Sequence, residues 1–280
     1  MIVTPIQYLH ELSKPIITNI KDSIVPIYSY CSNNIPYLKG SGVLISLGTR
    51  KFLITAAHLL NDAKFCPLFY FSRNNFNPFN GKFWRTPKAT SFSQDFLDVA
   101  VLELTNKQAN ELADNQKFYE TTFDTISFGT EHKLFFLLGF PFRRNKVNMV
   151  KFKLKNRIFP YLGSKIEDKN ILKGINRSAP QNLVLDYQRK RIRTGNNDTT
   201  QGPKVVSCSG GGIFEVDTSE MFKSKRVKIR LSAIFIEYSD KARGLVGTNI
   251  CFPLEIIRYN APELSDLIPK FAKFNFKMNG

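Results

Sequence analysis

The stretch Gly40–His58, GSGVLISLGTRKFLITAAH, decides the fold. Two runs of apolar and β-branched residues flank Gly48-Thr49-Arg50, and together they read as a β-hairpin. The second run ends on two alanines and His58, one of 3 histidines in the chain. Outward from this hairpin the texture repeats. SIVPIYSY (23–30), PLFYFS (67–72), DVAVLEL (98–104), KLFFLLGF (133–140) and VKFKLK (150–155) are short strand candidates. So are LVLDYQ (183–188), GIFEV (212–216), KIRLSAIFIEY (228–238) and VGTNICF (246–252). Helical patterns are few. Residues 5–21 hold a short one broken at Pro15, one or two turns follow Thr105, and the tail 262–274 holds another. Many short strands joined by loops predict an all-β sandwich or barrel, not alternating βαβ units. The polar, basic stretch 163–204 reads as loop-rich, ending in a surface loop at TGNNDTTQGPK.

The 280 residues are 42% hydrophobic and 22% charged, ordinary values for a chain with a sizeable core. No apolar run approaches the ~20 residues that cross a bilayer, so no membrane association is expected. The N-terminus lacks the pattern of a secretory signal. Cys31, Cys66, Cys208 and Cys251 are scattered, with no CxxC pair. They read as reduced thiols of a cytoplasmic protein, and no metal or cofactor is expected.

Three further features share one chemistry. Asp98 opens the strand DVAVLEL, and Ser209 precedes three glycines in SCSGGGIFEV. With His58 they stand in the order His, Asp, Ser. A serine hydroxyl is a poor nucleophile at neutral pH until a base takes its proton. That base needs a partner to fix its tautomer. The oxyanion formed on attack needs preorganised N–H donors, and glycines let the backbone turn sharply there.

These residues resemble the trypsin-like, chymotrypsin-fold serine peptidases. Thr55-Ala56-Ala57-His58, Asp98-Val99-Ala100-Val101 and Ser207-Cys208-Ser209-Gly210-Gly211 match that family's three signatures in order. Gly40-Ser41-Gly42 and LLGFP (137–141) agree with it, the latter with bacterial members and the peptidase part of HtrA-type proteins. The resemblance implies two packed six-stranded antiparallel β-barrels with the active site between them. It divides the chain into an N-terminal extension (1–22), a first barrel (23–118), a second barrel (119–258) and a C-terminal helical tail (259–280). His58 is then general base and acid, Asp98 its orienting partner, with Asp95 a competitor. Ser209 is the nucleophile, and the backbone N–H groups of Ser207 and Ser209 form the oxyanion hole.

The match has departures. Ser207 stands where the family commonly has glycine. Cys208 stands where secreted members have an aspartate, so activation by a freed N-terminal amine is not expected. Cys208 is a rival nucleophile, but Gly-Gly follows Ser209 instead. The family's pattern puts Pro203 at the base of the specificity pocket, with Asp198 an alternative. It puts Ile236, Glu237 and Tyr238 on the strand that pairs with substrate, and Gly247 at the pocket wall. An apolar or small side chain before the scissile bond is expected.

The net charge is +17. Residues 142–157 alternate lysine with apolar residues, as in a strand with one solvated face. The run RKRIR (189–193) is denser. It suits phosphates, an acidic protein partner or plain solvent exposure. The expected partners are a protein or peptide substrate and a regulatory protein. A catalytically inactive module that binds nucleic acid or an acidic protein is the alternative.

Overall fold

The computed structural model describes residues 14–15, 17–30, 35–61, 67–86, 96–128, 132–145, 147–148, 153–154, 156–193, 199–219 and 227–269. The first sheet holds β1 (Ile24–Tyr30), β2 (Pro36–Leu47), β3 (Arg50–Ala56), β4 (Phe69–Ser72), β5 (Asn75–Pro78), β6 (Phe83–Arg85), β7 (Val99–Glu103) and β8 (Tyr119–Glu120). Its order is β5-β4-β1-β2-β3-β7-β6, with β8 added in parallel to β2. The second sheet joins β9 (Leu134–Gly139), β12 (Phe159–Ser164), β13 (Asn182–Asp186), β16 (Gly212–Asp217), β17 (Lys228–Ser239) and β18 (Gly244–Asn249), in the order β12-β9-β16-β17-β18-β13. Two further two-stranded sheets stand apart, β10 (Val147–Asn148) with β11 (Lys153–Leu154) and β14 (Ile192–Arg193) with β15 (Thr199–Thr200).

The second sheet closes on itself. Its outer strands meet through a Lys165–Leu185 bridge, and the Ile166 amide donates to the Val184 carbonyl at 2.8 Å. Among the described residues the first sheet stays open and carries eight strands rather than the six expected. β8 lies just past the expected barrel boundary at 118.

The hairpin that anchored the reading is present. Leu47 pairs with Arg50 across Gly48-Thr49, and Gly48 has φ +56°, as a tight hairpin turn favours. The eight residues Gly40–Leu47 of β2 are all buried. Both faces of that strand are covered, so its sequence reads as a continuous apolar run rather than an alternation. Val43, Leu44, Ile45, Phe52, Leu53 and Ile54 are at 0% exposure and build the first core. Phe135, Leu137, Ile213, Phe235 and Leu245 fill the second.

Several segments differ from expectation. Residues 14, 15 and 17–20 are helical, and the part of the expected N-terminal helix before Lys14 lies outside the described residues. Helix α1 (Asn106–Ala113) follows Thr105, whose capping box with Gln108 satisfies two terminal amides. Helix α2 (Lys169–Gly174) gives structure to part of the stretch expected as loop-rich, while β13 stands at the strand expected over 183–188. β12 escaped the reading because Pro160 and Gly163 interrupt it; proline is admitted there because β12 is an outer strand. The strand expected over 246–252 stops at Asn249, whose side chain accepts the Cys251 amide at 3.1 Å. Helix α3 (Cys251–Asn260) starts there, with Pro253 in its first turn, and packs its apolar face on β6 and β7. The tail beyond it forms only a 3-10 segment, Pro262–Leu267, and its remainder lies outside the described residues. Lys151 and Lys155 of the alternating basic segment also lie outside them. No helix among the described residues is long and apolar enough to cross a membrane.

Candidate active site

β3 ends at Ala56, and the chain turns through a 3-10 segment, Ala57–Leu60, that carries His58. Both alanines are fully buried. Their small side chains let this turn lie flat against the start of β7, where the Ala57 amide donates to the Asp98 carbonyl at 3.0 Å. Asp98 has φ +40°, a left-handed conformation that aspartate tolerates better than most residues. Its carboxylate is 1% exposed and serves His58 twice. Oδ1 accepts the His58 backbone N–H at 2.7 Å, and Oδ2 lies 2.6 Å from His58 Nδ1.

The turn before Asp98 is tied to the second sheet. The Asn182 amide side chain donates to the Phe96 carbonyl at 2.8 Å, and the Thr248 hydroxyl donates to the Leu97 carbonyl. Asp98 is thus fixed from both halves of the molecule. Asp95 and Asp198, the alternatives weighed from sequence, lie outside the described residues.

Ser209 sits on the turn before β16. The Gly210 amide donates to the Phe235 carbonyl at 2.7 Å, and the Ser41 amide donates to the Ser209 carbonyl at 2.8 Å. Gly210 has φ +88°, and a Cβ there would stand 1.9 Å from the Ser41 carbonyl oxygen, so only glycine fits. The Ser209 hydroxyl donates to the Ile236 carbonyl at 2.9 Å. His58 and Ser209 line one cavity of about 440 Å³.

Ser207 occupies φ +70°, the conformation that makes glycine common at such a position. Its hydroxyl donates to the Leu38 carbonyl at 3.2 Å, and its carbonyl accepts the Ser41 hydroxyl at 3.0 Å. Anchoring at both ends compensates the departure from glycine. Among the described residues, no protein acceptor takes the backbone N–H of Ser207 or Ser209.

Cys208 points away from this cavity. It is 0% exposed, in the second core with Tyr187, Ile213 and Phe235, and burial pushes its thiol far above the usual range. That placement removes it as a rival nucleophile. Cys251 is likewise free and buried.

Ile236, Glu237 and Tyr238 line the cavity, but Pro203 and Gly247 are not among its lining residues. Pro203 instead offers its carbonyl to the Tyr187 hydroxyl at 2.7 Å. Gly247 lies inside the sheet, where a Cβ would meet Ile213 Cδ1 at 2.6 Å. The wall falls instead to Lys204, Val205, Val206, Tyr187 and Arg189. Counting back from the nucleophile lands near this wall, but no sequence signal marks Tyr187, and Arg189 stands out only as part of the basic run 189–193. They arrive through the fold of β13 and the loop after it. No group of three or more His, Cys, Asp or Glu able to hold a metal ion occurs among the described residues.

These features define a chymotrypsin-like β fold with a His-Asp pair and a serine at one cavity. Comparison with solved structures supports the fold. The chain is similar to granzyme C, a trypsin-like serine protease, in a structure titled "Structure of GrC". The TM-score is 0.53 at 11% identity, covering 86% of this chain and 95% of that one. At that identity the likeness speaks for the fold alone. No protein-family profile and no curated protein matches the sequence.

Proposed function

We propose that this protein is a serine endopeptidase in which Ser209 is the nucleophile, His58 the general base and Asp98 its orienting partner. The observation that carries this reading is the buried Asp98 carboxylate, which meets the His58 ring and backbone together while His58 and Ser209 share one cavity. An ionised carboxylate at Nδ1 keeps the ring proton on that nitrogen. The Nε2 lone pair is then free to accept a proton from a serine hydroxyl.

The reaction follows from those roles. The Ser209 hydroxyl leaves the Ile236 carbonyl and turns to His58 Nε2. Oγ attacks the substrate carbonyl as Nε2 takes the proton, and the charge on the tetrahedral oxygen is stabilised by the Ser207 and Ser209 amides. His58 returns the proton to the leaving amine, which departs and leaves an acyl-enzyme. Water, deprotonated by the same base, then releases the acid and restores Ser209. Each oxyanion donor of this kind is worth about 10²–10³ in kcat.

The test is hydrolysis of chromogenic tetrapeptide amides by wild type beside Ser209→Ala and His58→Ala. Wild type alone should turn over. Equal turnover by Ser209→Ala would refute the assignment.

A further inference from the structure

The cavity at Ser209 has a neighbour of about 420 Å³, and the walls of the two share Tyr187, Arg189, Tyr238 and Asp240. The wall of this two-cavity groove is cationic. Arg189, Lys190, Lys204 and Arg243 face it, against Glu237 and Asp240. Glu237 is already answered by Arg177, whose guanidinium is 3% exposed and donates to it at 2.5 Å. Among the described residues, none of the four groove cations has a carboxylate ion-pair partner. Arg189 is half-held, its Nε donating to the Gly202 carbonyl at 3.3 Å. Two of these cations, Arg189 and Lys190, belong to the basic run RKRIR that the nucleophile chemistry leaves unused.

Position along the strand says which part of a substrate meets them. The Ser209 hydroxyl contacts the Ile236 carbonyl, which places Ile236 beside the reacting bond. Tyr238, where the cations gather, is two residues further along β17, about 7 Å at a strand's rise. A carboxylate there would meet guanidinium forks suited to two parallel hydrogen bonds.

We infer that this groove selects an acidic side chain of the substrate, one to three residues before the scissile bond, with Arg189 and Arg243 as its readers. The inference rests on the peptidase reading above and replaces the expectation of an apolar or small residue with one of negative charge.

The experiment has a catalytic and a binding arm. Tetrapeptide nitroanilides carry a single Glu, Gln or Lys at each of the three positions before the leaving group. Glu at one position should raise kcat/KM about 10-fold over Gln, a preference that fades in high salt. The Arg189→Ala, Arg243→Ala double variant, checked for an unchanged melting temperature, should lose it. In the binding arm, fluorescent Glu and Gln peptides are titrated onto Ser209→Ala, which needs no turnover. The same preference there supports the groove even if wild type hydrolyses nothing, an outcome that would fell only the peptidase reading. Equal affinity for both peptides overturns the inference, as does a preference that survives the double arginine variant. A short single-stranded oligonucleotide that binds while the Glu peptide does not would also overturn it, assigning the cations to nucleic acid.

Discussion

The Ser41 hydroxyl donates to the Ser207 carbonyl at 3.0 Å and accepts the Phe140 amide at 2.9 Å. Ser41 lies on β2, Ser207 in the loop before the nucleophile, and Phe140 just after β9. One buried hydroxyl from the first sheet therefore satisfies two backbone groups of the second. Ser41→Ala leaves that carbonyl and that amide buried without a partner, which costs about 1–3 kcal/mol. The Ser207–Cys208 peptide also loses its tether, so kcat should fall more than KM rises. A thermal melt and nitroanilide kinetics check both, and an unchanged melt contradicts the assignment.

Gly210→Ala should be more damaging. It combines a left-handed φ with a Cβ 1.9 Å from the Ser41 carbonyl oxygen, a backbone atom that cannot swing aside. We expect a loss of about 3 kcal/mol or more and no hydrolysis. Chemical denaturation measures the first; a midpoint equal to wild type would show that the turn is looser than described.

Asp98→Asn separates orientation from folding. The asparagine oxygen can still accept the His58 backbone N–H, but its NH₂ group then faces Nδ1. Nδ1 becomes an acceptor, the ring proton moves to Nε2, and the base is lost. By analogy with the serine peptidase triad, kcat should drop about 10⁴-fold. Circular dichroism should show a folded protein, and near-normal turnover would remove Asp98 from the mechanism.

Burial raises the thiols of Cys208 and Cys251 and the phenols of Tyr28, Tyr119 and Tyr161. Each folded group then holds its proton above the pH at which the unfolded chain releases it. Stability is thus complete below the ordinary thiol value of 9.0 and declines as pH rises beyond it. Melting at pH 8, 9 and 10 should show that decline. Alkylation at pH 8 with peptide mapping should leave Cys208 and Cys251 unmodified in the native state. Rapid labelling of Cys208 would reopen its case as a nucleophile.

The elements legible in the sequence were those whose burial is one-sided or continuous. β2, β3, β7, β9, β16 and β17 carry β-branched and aromatic runs bounded by turn residues, and each stands where its pattern lies, whereas β18 begins earlier and ends earlier than its pattern. β12 was hidden by Pro160 and Gly163, tolerated at a sheet margin. Helix α3 was hidden because its start, CFPL, is apolar and continues the strand pattern before it, a pattern shared by buried strands. At the site, His58, Asp98 and Ser209 were visible because each sits at a strand end, His58 after two alanines, Asp98 before an apolar strand and Ser209 before three glycines. Pro203 and Gly247 are not among the residues lining the cavity: counting through a loop does not encode where Pro203 turns, and Gly247 lies within β18 against Ile213. Tyr187 carries no local signal, and the basic run that begins at Arg189 does not by itself say that it reaches the cavity.

The central claim is that Ser209 is an activated nucleophile. The most direct measurement is labelling of purified wild type with a fluorophosphonate probe, beside Ser209→Ala and His58→Ala. The account predicts one equivalent of label on wild type, located at Ser209 by peptide mapping, and none on either variant. An unlabelled wild type, or label that persists in Ser209→Ala, would contradict it.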